Sequence, residues 1–415
     1  MKAKIKSKVK KKDKKDFKLK DKLENIKSDY FLQKICGYLK RNKSLKIFKY
    51  NKKNQKRLKL NINSYKNYSE IFSSIEIELK TIKHEPSKLE QVLMENEKEE
   101  PKPIKFINIK EEEKEFFHVY LNGNKVETKK NAFNEGDKIT TIKIIIDYQV
   151  KSFENLFKNC ECLGSISFTK FYRNNIINMK SMFEECRYLK ELNLSIFNTK
   201  NVVNMANMFY FCCSLKELNL TKFNTNNVIN MNSMFLACKS LKVLNVSNFN
   251  TKNVFNMGSM FNQCSSLKEL NLSNFNTNIV RDMSYMFNKC SSLIKINLSS
   301  FNTKNVVDTE YMFFDCSSLK KLDLSNFNTI NVTNMRHMFC DCTKLIELNI
   351  SNFNTINVKD MSLMFSKCYS LEKLNITNFK TNNETRMVCM FYGTNKKLKD
   401  KIKSQKIFKE EAFKL

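Results

Sequence analysis

Tryptophan is absent from this chain, and glycine (6), proline (3) and histidine (3) are scarce among its 415 residues. So little glycine and proline excludes a collagenous chain, a Pro/Gly low-complexity chain and any fold that depends on repeated glycine turns. With only His84, His118 and His337, imidazole chemistry is poorly supplied. Long apolar runs are missing too. The best, Ile142 to Tyr148 (IKIIIDY), contains Lys143 and Asp147 and falls short of the roughly 20 apolar residues that cross a bilayer. The basic N-terminus is followed by no apolar h-region or small-residue cleavage site, so no export signal is expected and the chain reads as cytoplasmic, or nuclear in a eukaryote. No Walker loop, GxGxxG, GxSxG or HExxH is present, so neither an enzyme nor a cofactor is expected.

Positive charge is present in excess but unevenly placed. The formal net charge is +31, and residues 1–60 hold 24 Lys and Arg against 5 Asp and Glu, whereas 61–150 hold 14 against 17. The block Lys8 to Lys20 reads as a solvated tail held open by its own repulsion, over 1–28. The sharper alternatives are a nuclear address or a salt-sensitive contact with nucleic acid or an anionic membrane.

The dominant signal is an internal repeat. Met-Phe recurs every 26 residues, without an insertion, from Met182-Phe183 to Met390-Phe391, with a degenerate first copy at Leu156-Phe157. About ten units fill 151–395. In the copy Asp282 to Cys290 the apolar residues fall at i, i+3, i+4 and i+7, which predicts a short helix with one buried face. Leu293, Ile296 and Leu298 follow as a half-buried strand, Phe301 closes the core and Asn302 to Asn305 supply a turn. The expected fold is an α/β solenoid, a leucine-rich-repeat-type stack of strand-turn-helix units that share one core because no unit can bury its apolar side alone.

The unit MFxxCSSLKxLNLSNFNTxNVxNM resembles the 26-residue repeat of BspA-like leucine-rich-repeat proteins. The resemblance implies a solenoid with roles in adhesion and protein–protein interaction, and no enzymatic activity. Surface members of that family are exported, which leaves a cell-surface adhesin as an alternative reading.

Two rows in the repeat separate core from surface. Nine cysteines recur in register, from Cys160 to Cys368. Their spacing is wrong for zinc, and equivalent thiols in stacked copies point in parallel, which disfavours disulfides. They read as reduced, buried side chains. In the strand, Asn193, Asn219, Asn245, Asn271, Asn297, Asp323, Asn349 and Asn375 alternate outward with a Ser/Thr row that begins at Ser195. Such a row either bonds along the sheet or forms a polar binding stripe roughly 45 Å long for a protein partner. Lys190, Lys216, Lys242, Lys268 and Lys320 run beside it and would favour an acidic one. The variable positions are where specificity can reside. Among them Tyr285, Tyr311 and His337, with Arg336, form the one exposed-looking aromatic cluster.

Outside the repeat, 29–100 is expected to be a small helical region ending in a linker at Glu95 to Pro103. Within it, YFLQKICGYLKRNKSLKIFKYNKKNQKRL resembles an F-box, which implies a substrate-recruiting adaptor of a ubiquitin ligase with residues 29–60 as the docking element. Residues 101–150 are expected to form a β-rich N-terminal cap and 396–415 a C-terminal helical cap. The function these observations favour is a non-enzymatic protein–protein interaction scaffold.

Overall fold

The computed structural model describes residues 26–28, 32–34, 51–82, 103–134, 136–381 and 384–414. They fall in two compact units, divided between Ser74 and Ile75. Most of the basic tail, most of the F-box-like stretch, Cys36, His84 and nearly all of the linker lie outside the described residues.

In the first unit, α1 (Lys52–Arg57) and α2 (Ile62–Phe72) each begin on an asparagine. The Asn51 and Asn61 side chains accept from the third amide beyond them, at 2.9 and 3.0 Å, which satisfies donors that a helix start otherwise leaves orphaned.

The second unit opens with β1 (Ile75–Thr81), β2 (Ile104–Lys105), β3 (Phe117–Leu121), β4 (Ala132–Phe133) and β5 (Thr141–Ile146), followed by the first solenoid strands, β6 (Leu163–Lys170) and β7 (Glu191–Asn193). They pair in the order β3-β5-β1-β6-β7, with β2 and β4 forming a separate pair. Strand β1 lies inside the segment expected to be helical. Its IEIELKT alternates with period two, burying Ile75, Ile77 and Leu79, and it is β1, antiparallel to both β5 and β6, that covers the edge of the first solenoid strand.

Beyond β7 each repeat contributes one short rung, from β8 (Glu217–Leu218) through β9 (Val243–Leu244), β10 (Glu269–Asn271), β11 (Lys295–Asn297), β12 (Lys321–Asp323) and β13 (Glu347–Asn349) to β14 (Lys373–Leu374). Paired rungs are parallel and in register, as Glu269 opposite Lys295 and Leu270 opposite Ile296. A second row of parallel bridges runs from Ser152 to Arg386 in steps of 26. The chain is thus a solenoid with the 26-residue spacing its sequence announces.

The helix expected in each repeat is not formed. In the coil after Asn178, the amides of Met179, Ser181, Phe183 and Glu185 donate to carbonyls of the next coil, at 2.7 to 3.0 Å, while those of Met182, Glu184 and Cys186 donate three residues back. Alternate amides therefore leave the coil, whereas an α-helix sends each one back four residues. Two residues per coil, four apart, adopt left-handed backbone, such as Ser181 and Glu185, or Tyr285 and Lys289. No β-branched residue occupies either position in any copy, in keeping with the steric cost there. The i, i+3, i+4, i+7 pattern is real, but it comes from successive tight turns.

Columns of identical side chains hold the coils together. Rings stack from Phe157 through Phe183 and each later copy to Phe391, with centroids 5.3 to 5.8 Å apart. The cysteine row is buried as expected, and each thiol from Cys186 to Cys368 donates to the carbonyl of the Phe one coil earlier, at 3.0 to 3.2 Å. Buried threonines from Thr199 to Thr355 each bridge to the next coil, donating to one residue's carbonyl and accepting from the same residue's amide. At the far end α3 (Lys396–Lys403) buries Leu398 and Ile402. The carbonyls of Glu411 and Ala412 then take the amides of Cys389 and Phe391, and Phe413 stacks on Phe391 at 5.3 Å. A stand-in coil thus ends the stack.

Candidate interaction surface

The strand face carries the asparagine row, and its geometry assigns the side-chain oxygens of that row. In all eight copies from Asn193 to Asn375, Asp323 included, the side-chain oxygen accepts from the backbone amide two residues on, at 3.0 to 3.3 Å. This closes a turn at the end of each rung. Bonding along the sheet is sparse: Asn193 donates to Ser167 at 3.3 Å. Asp323 is held below the usual carboxylate range by the amide and hydroxyl of Ser325, with a smaller contribution from Asn349. Other asparagines also serve the backbone, as where Asn274 Nδ2 donates to the carbonyls of Val246 and Phe249 one coil earlier.

Lys190, Lys216, Lys242, Lys268 and Lys320 are exposed beside the stripe. The residue after each is exposed as well, and in three of the five it is an acid: Glu191, Glu217 and Glu269. The stripe is therefore mixed in sign and not a uniform basic field. At its N-terminal end the outward side chains of β1, β6 and β7 form a shallow cavity of about 310 Å³, lined by Glu78, Lys80, Ser165, Ser167, Glu191 and Asn193.

The turn edge is different. Tyr285 and Tyr311 stack face to face at 4.8 Å, and His337 stacks on Tyr311 at 4.3 Å. Phe314 leans against Tyr311 and His337 at 5.2 and 5.9 Å. All three residues of the stack are left-handed (φ +54° to +57°), so the backbone presents them in register from consecutive coils. The three are half-buried, less exposed than their sequence positions suggest, because each ring covers the next. Burial, and then Arg336, push the His337 imidazole down to about 4, leaving it neutral near pH 7. Burial raises both tyrosine phenols, and Glu310 adds to the effect in each. Arg336 itself is exposed.

Sequence reasoning missed three features of this edge. Phe314 carries no motif, since it follows the invariant Met-Phe as an ordinary variable residue. The acidic partners Asp282, Asp308 and Glu310 emerge only when copies are stacked. A smaller group, Tyr210 against Phe211 at 4.7 Å with Arg187 and Lys239 over the Phe211 ring at 5.4 and 5.9 Å, sits on earlier coils. Among the described residues no cluster of His, Cys, Asp and Glu could hold a metal ion, and no helix is long and apolar enough to cross a membrane.

A model of the family described as "Mycoplasma protein of unknown function, DUF285" matches residues 151–267, 237–322 and 312–413. No curated protein matches the chain. Among solved structures, a chain titled "Crystal structure of TLR13-ssRNA13 complex" is similar at 15% identity with a TM-score of 0.20, over 58% of this chain and 49% of that one. The chain thus spans about half the length of that relative, and a likeness this distant carries no functional inference. The three family matches tile the solenoid from end to end and take in more than half of the sequence, so the chain belongs to the DUF285 family.

Proposed function

We propose that the protein is a non-enzymatic protein-interaction scaffold, and that the turn edge built on Tyr285, Tyr311 and His337 is its recognition surface. One observation carries this reading: three consecutive coils replace the small Ser or Asn of earlier copies with rings that stack on one another. Aromatic side chains are concentrated where proteins bind one another, and nothing in the packing of the core requires them here. The asparagine stripe is the weaker candidate, because its side-chain oxygens already serve the backbone. The buried row of free thiols from Cys160 to Cys368 supports a reducing compartment, and the BspA-like pattern of the repeat supports an interaction role. The test is a cross-linking comparison of the full chain with the variant Tyr285→Ser, Tyr311→Ser, His337→Asn, whose new residues repeat Ser233, Ser259 and Asn207 of earlier coils. Loss of the partners captured by the native chain is the expected result, and an unchanged set overturns the reading.

A further inference from the structure

Resting on that reading of the turn edge, we infer that it binds an arginine-bearing peptide segment, the guanidinium stacking on the open face of Tyr285 while carboxylates of the neighbouring coils take its donors. The ring faces of Tyr311 are both covered, by Tyr285 and by His337. Tyr285 is the first ring of the stack, and one coil earlier its column holds Ser259, beside Gly258, neither long enough to cover the ring. A ledge one coil deep results, with a π face at its end, the geometry a planar cation prefers.

The local charge opposes that of the protein. Asp308 and Glu310 lie within electrostatic reach of the Tyr285 phenol, and Asp341 and Asp360 within reach of His337. In the four preceding coils the row that holds Asp282, Asp308 and Asp360 consists of Asn178, Asn204, Asn230 and Asn256. In a chain of net charge +31, acidic residues thus enter this row where the rings begin. The same coils also hold Arg281, Lys289, Arg336 and Lys359, and Lys367 is engaged by Asp341 at 3.4 Å.

An arginine supplies five N–H donors in one plane, a match for carboxylates held on more than one coil. A nucleic acid, which also stacks on rings, would bring phosphates against these carboxylates.

The test is fluorescence anisotropy with the full chain and a labelled nine-residue peptide of Arg, Gly and Ser carrying three arginines. Tyr285→Ser, which restores the residue found in earlier coils, is expected to weaken binding at least tenfold. Asp308→Asn with Glu310→Gln is expected to weaken it and to flatten its salt dependence. A citrulline peptide, matched in shape but uncharged, should not bind, and a lysine peptide should bind more weakly. Equal binding by the citrulline peptide overturns the inference, as does binding indifferent to Tyr285→Ser or a single-stranded oligoribonucleotide that binds in a Tyr285-dependent way. Should the triple variant lose its captured partners while the arginine peptide binds nowhere, the scaffold reading stands and this inference falls. Tyr285-dependent peptide binding with an unchanged set of partners upholds the peptide site and removes the scaffold reading.

Discussion

Thr277→Val separates two accounts of what joins the coils. Thr277 is fully buried, its hydroxyl donates to the carbonyl of Asn302 at 2.9 Å, and it accepts from the Asn302 amide at 2.8 Å. Valine keeps the shape but removes both bonds and leaves two backbone groups of the next coil unpaired. Each orphaned group costs about 1–3 kcal/mol, and since Asn302 lies near the surface the low end applies, giving a loss of about 2 kcal/mol. Thr277→Ser keeps both bonds and loses one methyl group, about 0.8 kcal/mol of burial. Urea denaturation should therefore rank serine above valine. Hydrogen exchange at the Asn302 amide should accelerate about thirtyfold in the valine variant, because every 1.4 kcal/mol is a factor of about ten. If apolar packing alone holds the stack, the order reverses: valine is harmless and serine is the worse of the two. That ranking, or an unchanged Asn302 amide, would refute the role assigned to the buried hydroxyls.

Iodoacetamide on the native chain in a Cys36→Ser background should label Cys213 and Cys389, the half-buried thiols, and spare the stacked row, where burial holds Cys290 up at about 12; rapid labelling of Cys290, read by mass spectrometry, would contradict the packing. Phe413→Ala removes the ring that ends the phenylalanine stack and should cost about 3 kcal/mol, seen as earlier proteolytic cleavage within the last coil; an unaltered cleavage pattern counts against a capping role. His337 is held neutral at about 4, below its unfolded value near 6.5, by burial and by Arg336. Its charging therefore opposes folding, so stability should fall as pH drops through 6.5 towards 4. His337→Phe should flatten that part of the pH profile of the melting temperature, whereas a profile identical to native assigns the loss to other groups.

The sequence discloses the stack more fully than the path of the chain within it. Met182, Phe183, Cys186 and Leu189 are buried where their period places them, because a spacing repeated without insertion admits only a periodic core. The expected helix is absent because i, i+3, i+4 and i+7 report which side chains point inward, not which carbonyl each amide meets. Left-handed residues four apart serve the same inward face with a different backbone, and the absence of β-branched residues at both positions is the one sign of it in the sequence. Strand β1 is legible in its own alternation, but short apolar runs beside helices are ambiguous until a sheet needs them.

The asparagines show why the binding surface is harder to find than the fold. A residue repeated in every copy is repeated because every copy has the same unsatisfied backbone group. Asn271 closes its turn, Asn274 holds two carbonyls of the coil before, and Asn276 Oδ1 accepts from the Asn278 amide. Regularity in a solenoid is thus a record of what the scaffold consumes, and a partner has to be sought where the copies stop agreeing. Disagreement by itself means little, since an exposed variable position can hold almost anything. What distinguishes Tyr285, Tyr311 and His337 is that three copies depart together and in contact, at positions where left-handed backbone already excludes many side chains. Acidic residues change in the same coils. A partner that spans several coils would impose such correlated departures on its own stretch of the stack and leave the coils before it uniform.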